Sequence, residues 1–207
     1  MTVTDDRQAA ADGVVASPFR RRLLDGLAAS ITERGYRDTT VADIVRHART
    51  SKRTFYSEFS SKEDCFIELL WQGNQEMIAK ISGAVDPEAD WQDQIRQAVH
   101  AWVADIEARP AVSLSWIREL PALGRDVRDM QRRGMAGILD MFVDISNNPG
   151  VRRAGIPPLN YQMAVLLFGG LRELSALTVE DGADVREIVE TAVAGSIAIV
   201  GAGRNVS

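Results

Sequence analysis

Between Arg49 and Glu63 the chain reads RTSKRTFYSEFSSKE, four cations among Ser and Thr hydroxyls and three aromatics. On a helix of about 100° per residue, Phe55 and Phe59 lie about 40° apart and share a buried side. Arg53 and Ser57 fall opposite them, Thr54 and Tyr56 flank, and Lys52 stands at the N-terminal end. That exposed side suits a DNA groove. Lys52 and Arg53 can donate to guanine O6 and N7 or to a phosphate, and Thr54 to a phosphate or a thymine methyl. Tyr56 can bury its ring and give its hydroxyl to a phosphate. Thr40 begins the preceding helix, where free amides favour an anion. Lys62 sits in the first turn of the following helix, unfavourable for the helix dipole unless a phosphate arrives too. A solvated basic face on a structural helix pair would use the same residues.

Charge supports a polyanionic partner. Residues 17–62 carry ten basic and five acidic side chains, +5, whereas residues 63–207 carry 13 and 21, −8. A small basic unit on an acidic body separates two jobs. The single cysteine, Cys65, excludes an intrachain disulfide, the N-terminus lacks a signal-peptide pattern, and no segment is continuously apolar over 18–20 residues. A cytoplasmic protein without a membrane segment is expected.

The elements that must position these residues are helical throughout, with no convincing strand alternation. Residues 1–16 read as a disordered tail, 17–62 as the basic unit and 63–207 as the body. Ser17-Pro18 caps a first helix to about Arg34, and Gly35 sits at its left-handed end. Two short helices, 41–48 and 51–59, follow across a break at Arg49-Thr50, which is helix-turn-helix spacing. SSKE, with Ser60 as cap and Glu63 at N3, opens a long helix to about Ser82. Further helices are expected at 91–108, 111–119, 122–146, 159–179 and 184–200, with a loop at 147–158: an all-α chain of about nine helices.

The run from Leu23 to Leu70 resembles the N-terminal domain of the tetracycline-repressor (TetR) family. The resemblance rests on Gly35-Tyr36, Thr39-Thr40-Val41, Ile44, Ala48, Ser51, Thr54-Phe55-Tyr56, Phe59 and Ser61-Lys62-Glu63. It implies a three-helix DNA-binding domain before a helical-bundle body. Thr40 and Lys62 match phosphate-contacting positions, and Lys52, Arg53, Thr54 and Tyr56 match the recognition-helix positions that face double-stranded DNA at a palindromic operator; Arg49 and Ser51 are further candidates for DNA contact. It further implies a homodimer built on the last two helices and a ligand pocket among the middle ones. Two positions depart from the pattern. Arg49 replaces the turn glycine, at a cost of about 1–2 kcal/mol if the left-handed conformation is kept, which a phosphate contact could offset. Glu58 puts a carboxylate where the DNA backbone would repel it; it is expected to pair with Arg53 or Lys62 instead, and Glu58→Gln is expected to tighten binding.

In the body, Trp102, Trp116, Phe142 and Tyr161 are candidate liners of an apolar pocket, although a plain bundle core uses the same residues. The body's acidity favours a cationic or neutral hydrophobic effector over a multiply charged anion. The apolar stretch 163–171 and the stripe from Val185 to Val200 fit a four-helix contact between two copies. His47 and His100 lie in separate units, Cys65 is alone, and no zinc spacing, phosphate loop or nucleophile elbow is present, so neither catalysis nor a cofactor is expected. The expected function is a repressor released from its operator by a small hydrophobic ligand. The alternatives are a constitutive DNA-binding regulator whose body only dimerises, and a helical carrier or enzyme on the same scaffold.

Overall fold

The structure, a computed structural model, describes residues 17–123 and 127–202; the expected tail 1–16 lies outside them. Among the described residues there is no strand, and ten α-helices form. Helix α1 (Pro18–Asp38) starts on Ser17, whose hydroxyl accepts from the Phe19 amide. Its regular course breaks at Gly35, where φ is +80°, a conformation that costs a residue with a side chain but not glycine. Helices α2 (Val41–His47) and α3 (Lys52–Glu58) fill the two short spans expected of them.

Helix α4 (Lys62–Ala84) begins one residue later than SSKE implies. Ser61, not Ser60, is the cap and accepts from the Asp64 amide, while the Ser60 hydroxyl donates to the Asp64 carboxylate. Asp64 at N3 therefore takes the place expected of Glu63. The body follows with α5 (Trp91–Ala108), α6 (Pro110–Arg118), a 3-10 turn (Leu120–Leu123), α7 (Arg128–Ser146), α8 (Pro149–Arg153), α9 (Tyr161–Glu180), a second 3-10 turn (Val185–Ile188) and α10 (Val189–Gly201). Two expectations change. The helix expected at 122–146 starts only at Arg128, and the expected loop at 147–158 contains α8, because Pro149 at the first position is preset for a helix.

Two buried clusters organise the chain. The first joins α1 to α3 with the first half of α4, through Leu23, Leu27, Ile44, Phe55, Phe59 and Phe66, and extends to Val112 on α6 and to Leu120. The second gathers α5, α7, α9 and α10 around Trp102, Ile138, Phe142, Phe168 and Val193. Helix α4 serves both, and α6 reaches from one to the other. Helix α9 is long and apolar enough by length and composition to cross a membrane. Its inner face, Ala164, Leu167, Phe168 and Leu171, is packed in the second cluster, and Glu173 and Glu180 on it are ion-paired. Its outer face is a different matter: Leu166 is 63% exposed and Leu177 49% exposed, with Gly169 and Gly170 between them in open space.

Candidate DNA interface and cavity

The recognition surface is built from below. Phe55, fully buried, and Phe59 anchor α3 on α1 and α4, as the spacing requires. The Arg20 guanidinium lies 4.2 Å from the Phe59 ring centre, donates to the Glu58 carbonyl (2.5 Å) and is held by the Glu68 carboxylate. Helix α2 is drawn close to α1 at Gly26, where a Cβ would stand 2.7 Å from the Ile44 carbonyl oxygen, so only glycine fits. The turn is clamped from α1 as well. Arg22 donates to the carbonyls of Ala48 (2.5 Å) and Arg49 (2.9 Å). Arg49 is left-handed at φ +50°, as expected from its replacement of glycine.

The outward residues divide into free and engaged ones. Ser51 caps α3, accepting from the Thr54 amide (3.1 Å), and its oxygen lies 3.0 Å from the Thr54 hydroxyl. Arg49, Lys52, Arg53 and Tyr56 are exposed, Tyr56 at 59%, and Thr54 is half-buried. Among the described residues the three cations make no ion pair. They form one cationic, hydroxylic surface with Tyr56 set edge-on to Phe55. Thr40 is exposed, but its hydroxyl is committed to a capping box. It accepts from the Asp43 amide and donates to the Asp43 carboxylate (2.6 Å). Those hydrogen bonds from Thr40 hold the Asp43 carboxyl below the usual range. Beside them, Arg34, then His47 and Arg46, hold Glu33 down at about 2.

One expectation fails here, the pairing of Glu58, and Lys62 has a partner that was not expected. Lys62 is held within the chain in this structure. Its ammonium donates to the carbonyls of Tyr36 (3.0 Å), Thr39 (2.9 Å) and Arg37 (3.4 Å) and stands 4.3 Å from the Tyr36 ring centre. A cation at the start of α4 is thus repaid by the carbonyl end of α1, which favours positive charge. Glu58 pairs with neither Arg53 nor Lys62; its carboxylate lies 3.8 Å from Arg20, on the side of α3 that faces α1. Arg20, Arg22 and Gly26 were missed, although three consecutive arginines ahead of a mid-helix glycine were a visible signal.

Among the described residues, two cavities in the body share Trp102. One, about 600 Å³ with its open mouth, is lined by Trp91, Ile95, Trp102, Phe142, Leu159 and Leu167. Its few polar side chains, Gln94, Ser146 and Ser196, hydrogen-bond within the protein. The other, about 590 Å³, lies under α6 between α4, α5, α7 and α9, walled by Met77, Trp102, Trp116, Ile138 and Phe168. Trp102 stands between them, its indole N–H donated to the Ser175 hydroxyl (3.1 Å) and Phe168 set edge-on at 6.1 Å. Trp102, Trp116 and Phe142 therefore line cavities as expected. Tyr161 lines neither; at the start of α9 it is 58% exposed, because α9 turns that face outward.

Helix α6 ties the second cavity to the DNA-binding unit. Val112, Ser113, Trp116 and Ile117 line the cavity. One residue on, Arg118 makes paired hydrogen bonds to both Glu173 and Glu180 of α9, and Glu119 accepts from Arg37 of α1 (2.9 Å). Arg37 is the same residue whose carbonyl faces Lys62.

Residues 23–69 match the family described as bacterial regulatory proteins, tetR family. A Bacillus subtilis (strain 168) protein, the uncharacterized HTH-type transcriptional regulator YhgD, is 21% identical over 150 residues, 72% of this chain and 78% of that protein. The fold is similar to the fatty acid degradation regulator FadR from Bacillus halodurans, with a TM-score of 0.74 at 18% identity, covering 89% of this chain and 95% of that one. It is equally similar to FadR from Bacillus subtilis in complex with stearoyl-CoA, again 0.74 at 18%, covering 87% and 97%. Escherichia coli NemR in its reduced form scores 0.71 at 18%, covering 88% and 97%.

Proposed function

We propose that this chain, a transcriptional regulator of the tetR family, is a cytoplasmic repressor that binds a palindromic operator as a homodimer and is released by a small hydrophobic effector. Each protomer offers α3 to a major groove, with Lys52, Arg53, Thr54 and Tyr56 toward the bases and Arg49 toward a phosphate. The exposed apolar face of α9, Leu166, Gly169, Gly170 and Leu177, together with α10, joins the two copies. That FadR from Bacillus subtilis, of similar fold, was solved with stearoyl-CoA, whose acyl chain is long and apolar, supports an effector with an apolar body for this chain as well.

One observation carries the proposal: α6 walls the cavity with Trp116 and Ile117 while its end is bonded to α1 through Glu119 and Arg37. A ligand that needs room under α6 pushes on a helix packed against α1 of the DNA-binding unit. Two recognition helices on one duplex must keep a fixed spacing near one helical turn, so a shift of a few ångströms is enough to lower affinity. The test is selection of bound DNA from a random pool, then anisotropy titration of the selected site with and without apolar compounds. A palindrome released by at least one compound supports the proposal. Specific binding that no such compound alters leaves a constitutive regulator, and sequence-blind binding removes the regulator reading.

A further inference from the structure

The cavity under α6 has a polar chemistry that its apolar walls conceal. Asn74 on α4 is 3% exposed. Its amide nitrogen donates to the Gly134 carbonyl (3.3 Å), which fixes the amide orientation and leaves Oδ1 with no donor. Arg172 on α9 gives one terminal nitrogen to the Ile117 carbonyl (3.3 Å), while its buried Nε has no acceptor. Both residues line this cavity. Buried polar groups are nearly always paired, so two unmet groups of opposite need on residues that line one cavity leave places for a partner from outside the chain, a water or a ligand.

The local charge points the same way. At the cavity's edge Arg109 faces Glu76 and Asp105, and Asp105 also holds Lys80 (2.6 Å), so that chain of charges compensates itself. Arg172 makes no ion pair among the described residues; its neighbour Glu173 is committed to Arg118. The cavity lining thus carries two arginines against one aspartate, +1, although the body as a whole is acidic. A partly buried cation attracts an anion more strongly than one in water. The cavity beyond Trp102, whose few polar side chains are hydrogen-bonded within the protein, has no comparable unmet group among the described residues.

We infer that the effector is an amphiphile whose head carries an anionic acceptor for Arg172 together with a hydroxyl or N–H donor for Asn74. Its apolar body lies against Trp102, Trp116, Ile138 and Phe168. This rests on the reading of the α6 cavity as the effector site.

The test compares ligands of one chain length by calorimetry or tryptophan quenching: decanoate, decanol, decylammonium, and 2- and 3-hydroxydecanoate. Decanoate binds about 10- to 100-fold tighter than decanol, the range of one hydrogen bond to a charged group. Decylammonium binds weakest, and one hydroxy acid exceeds decanoate. In Arg172→Met the decanoate preference over decanol collapses while decanol affinity holds, and in Asn74→Leu only the hydroxyl preference is lost. Ratios taken within one variant are insulated from damage to its fold. Equal binding of decanol and decanoate, or a preference for decylammonium, overturns the anionic head and leaves the cavity reading standing. Neither hydroxy acid exceeding decanoate overturns the part given to Asn74. Binding that Trp116→Ala leaves untouched, or no binding of any probe, removes the cavity reading itself.

Discussion

Replacing Lys62 by Met separates two roles for one cation. Met keeps most of the apolar stem and removes the ammonium. Three carbonyls at the end of α1 then lose their donor, and the Tyr36 ring loses its cation. A hydrogen bond to a charged group contributes about 1.5–3 kcal/mol, but one half-exposed ammonium shares three acceptors, so the gain is nearer to one such bond. The ring adds about 0.5–1 kcal/mol. The expected loss is about 2–3 kcal/mol, or roughly 5–10 °C in midpoint for a chain of this size. The assay is thermal unfolding paired with operator binding across a salt series. If Lys62 latches α1 to α4, the midpoint falls and the salt slope is unchanged. If it instead meets a phosphate, the slope shallows by about 0.9 per contact while the midpoint stays within a degree, and that result refutes the latch.

Arg49→Gly should stabilise the protein by about 1 kcal/mol in urea unfolding, because φ of +50° suits glycine, and should shallow the salt slope by about 0.9 if Arg49 meets a phosphate. Arg118→Met should leave operator affinity near wild type without effector but shrink the change that effector causes, measured as the ratio of the two dissociation constants, since its bonds to Glu173 and Glu180 fix the end of α6. Burial pushes the Cys65 thiol up to about 12. A thiol reagent at pH 8 should therefore label it only as fast as the protein unfolds. The sign of the pH effect follows: the unfolded thiol ionises from about pH 9, the folded one does not, so stability falls as pH rises from 9 toward 12, by up to about 1.4 kcal/mol per pH unit.

The helix-turn-helix was legible because its signals are local. Phe55 and Phe59 fix which face is buried by spacing alone, Ser51 caps by type, and Arg49 shows its strain by standing in a turn that calls for glycine. What depended on distant segments was not legible. Lys62 and the carbonyls of Tyr36 to Thr39 are 23 to 26 positions apart, and the Arg20 contacts that turn Glu58 inward span 38 and 48. Without those partners a cation at a helix start reads as a phosphate site and a carboxylate on a recognition helix reads as a repulsion. The same limit governs the body. Aromatic stripes marked Trp102, Trp116 and Phe142, but whether an aromatic faces inward at a helix end, as Tyr161 does not, depends on how α9 is rotated. The charge of the cavity follows from the fold bringing Arg109, Arg172 and Asp105 into one lining, and a net charge summed along the chain does not contain it.

The central claim is that α3 reads DNA, and the most direct test is anisotropy titration of the selected operator with wild type, Arg53→Ala and Tyr56→Ala. Each substitution should weaken specific binding by about 1–3 kcal/mol while leaving the unfolding midpoint near wild type, since both side chains are exposed. Full operator affinity in both variants would contradict the assignment of α3 as the recognition helix.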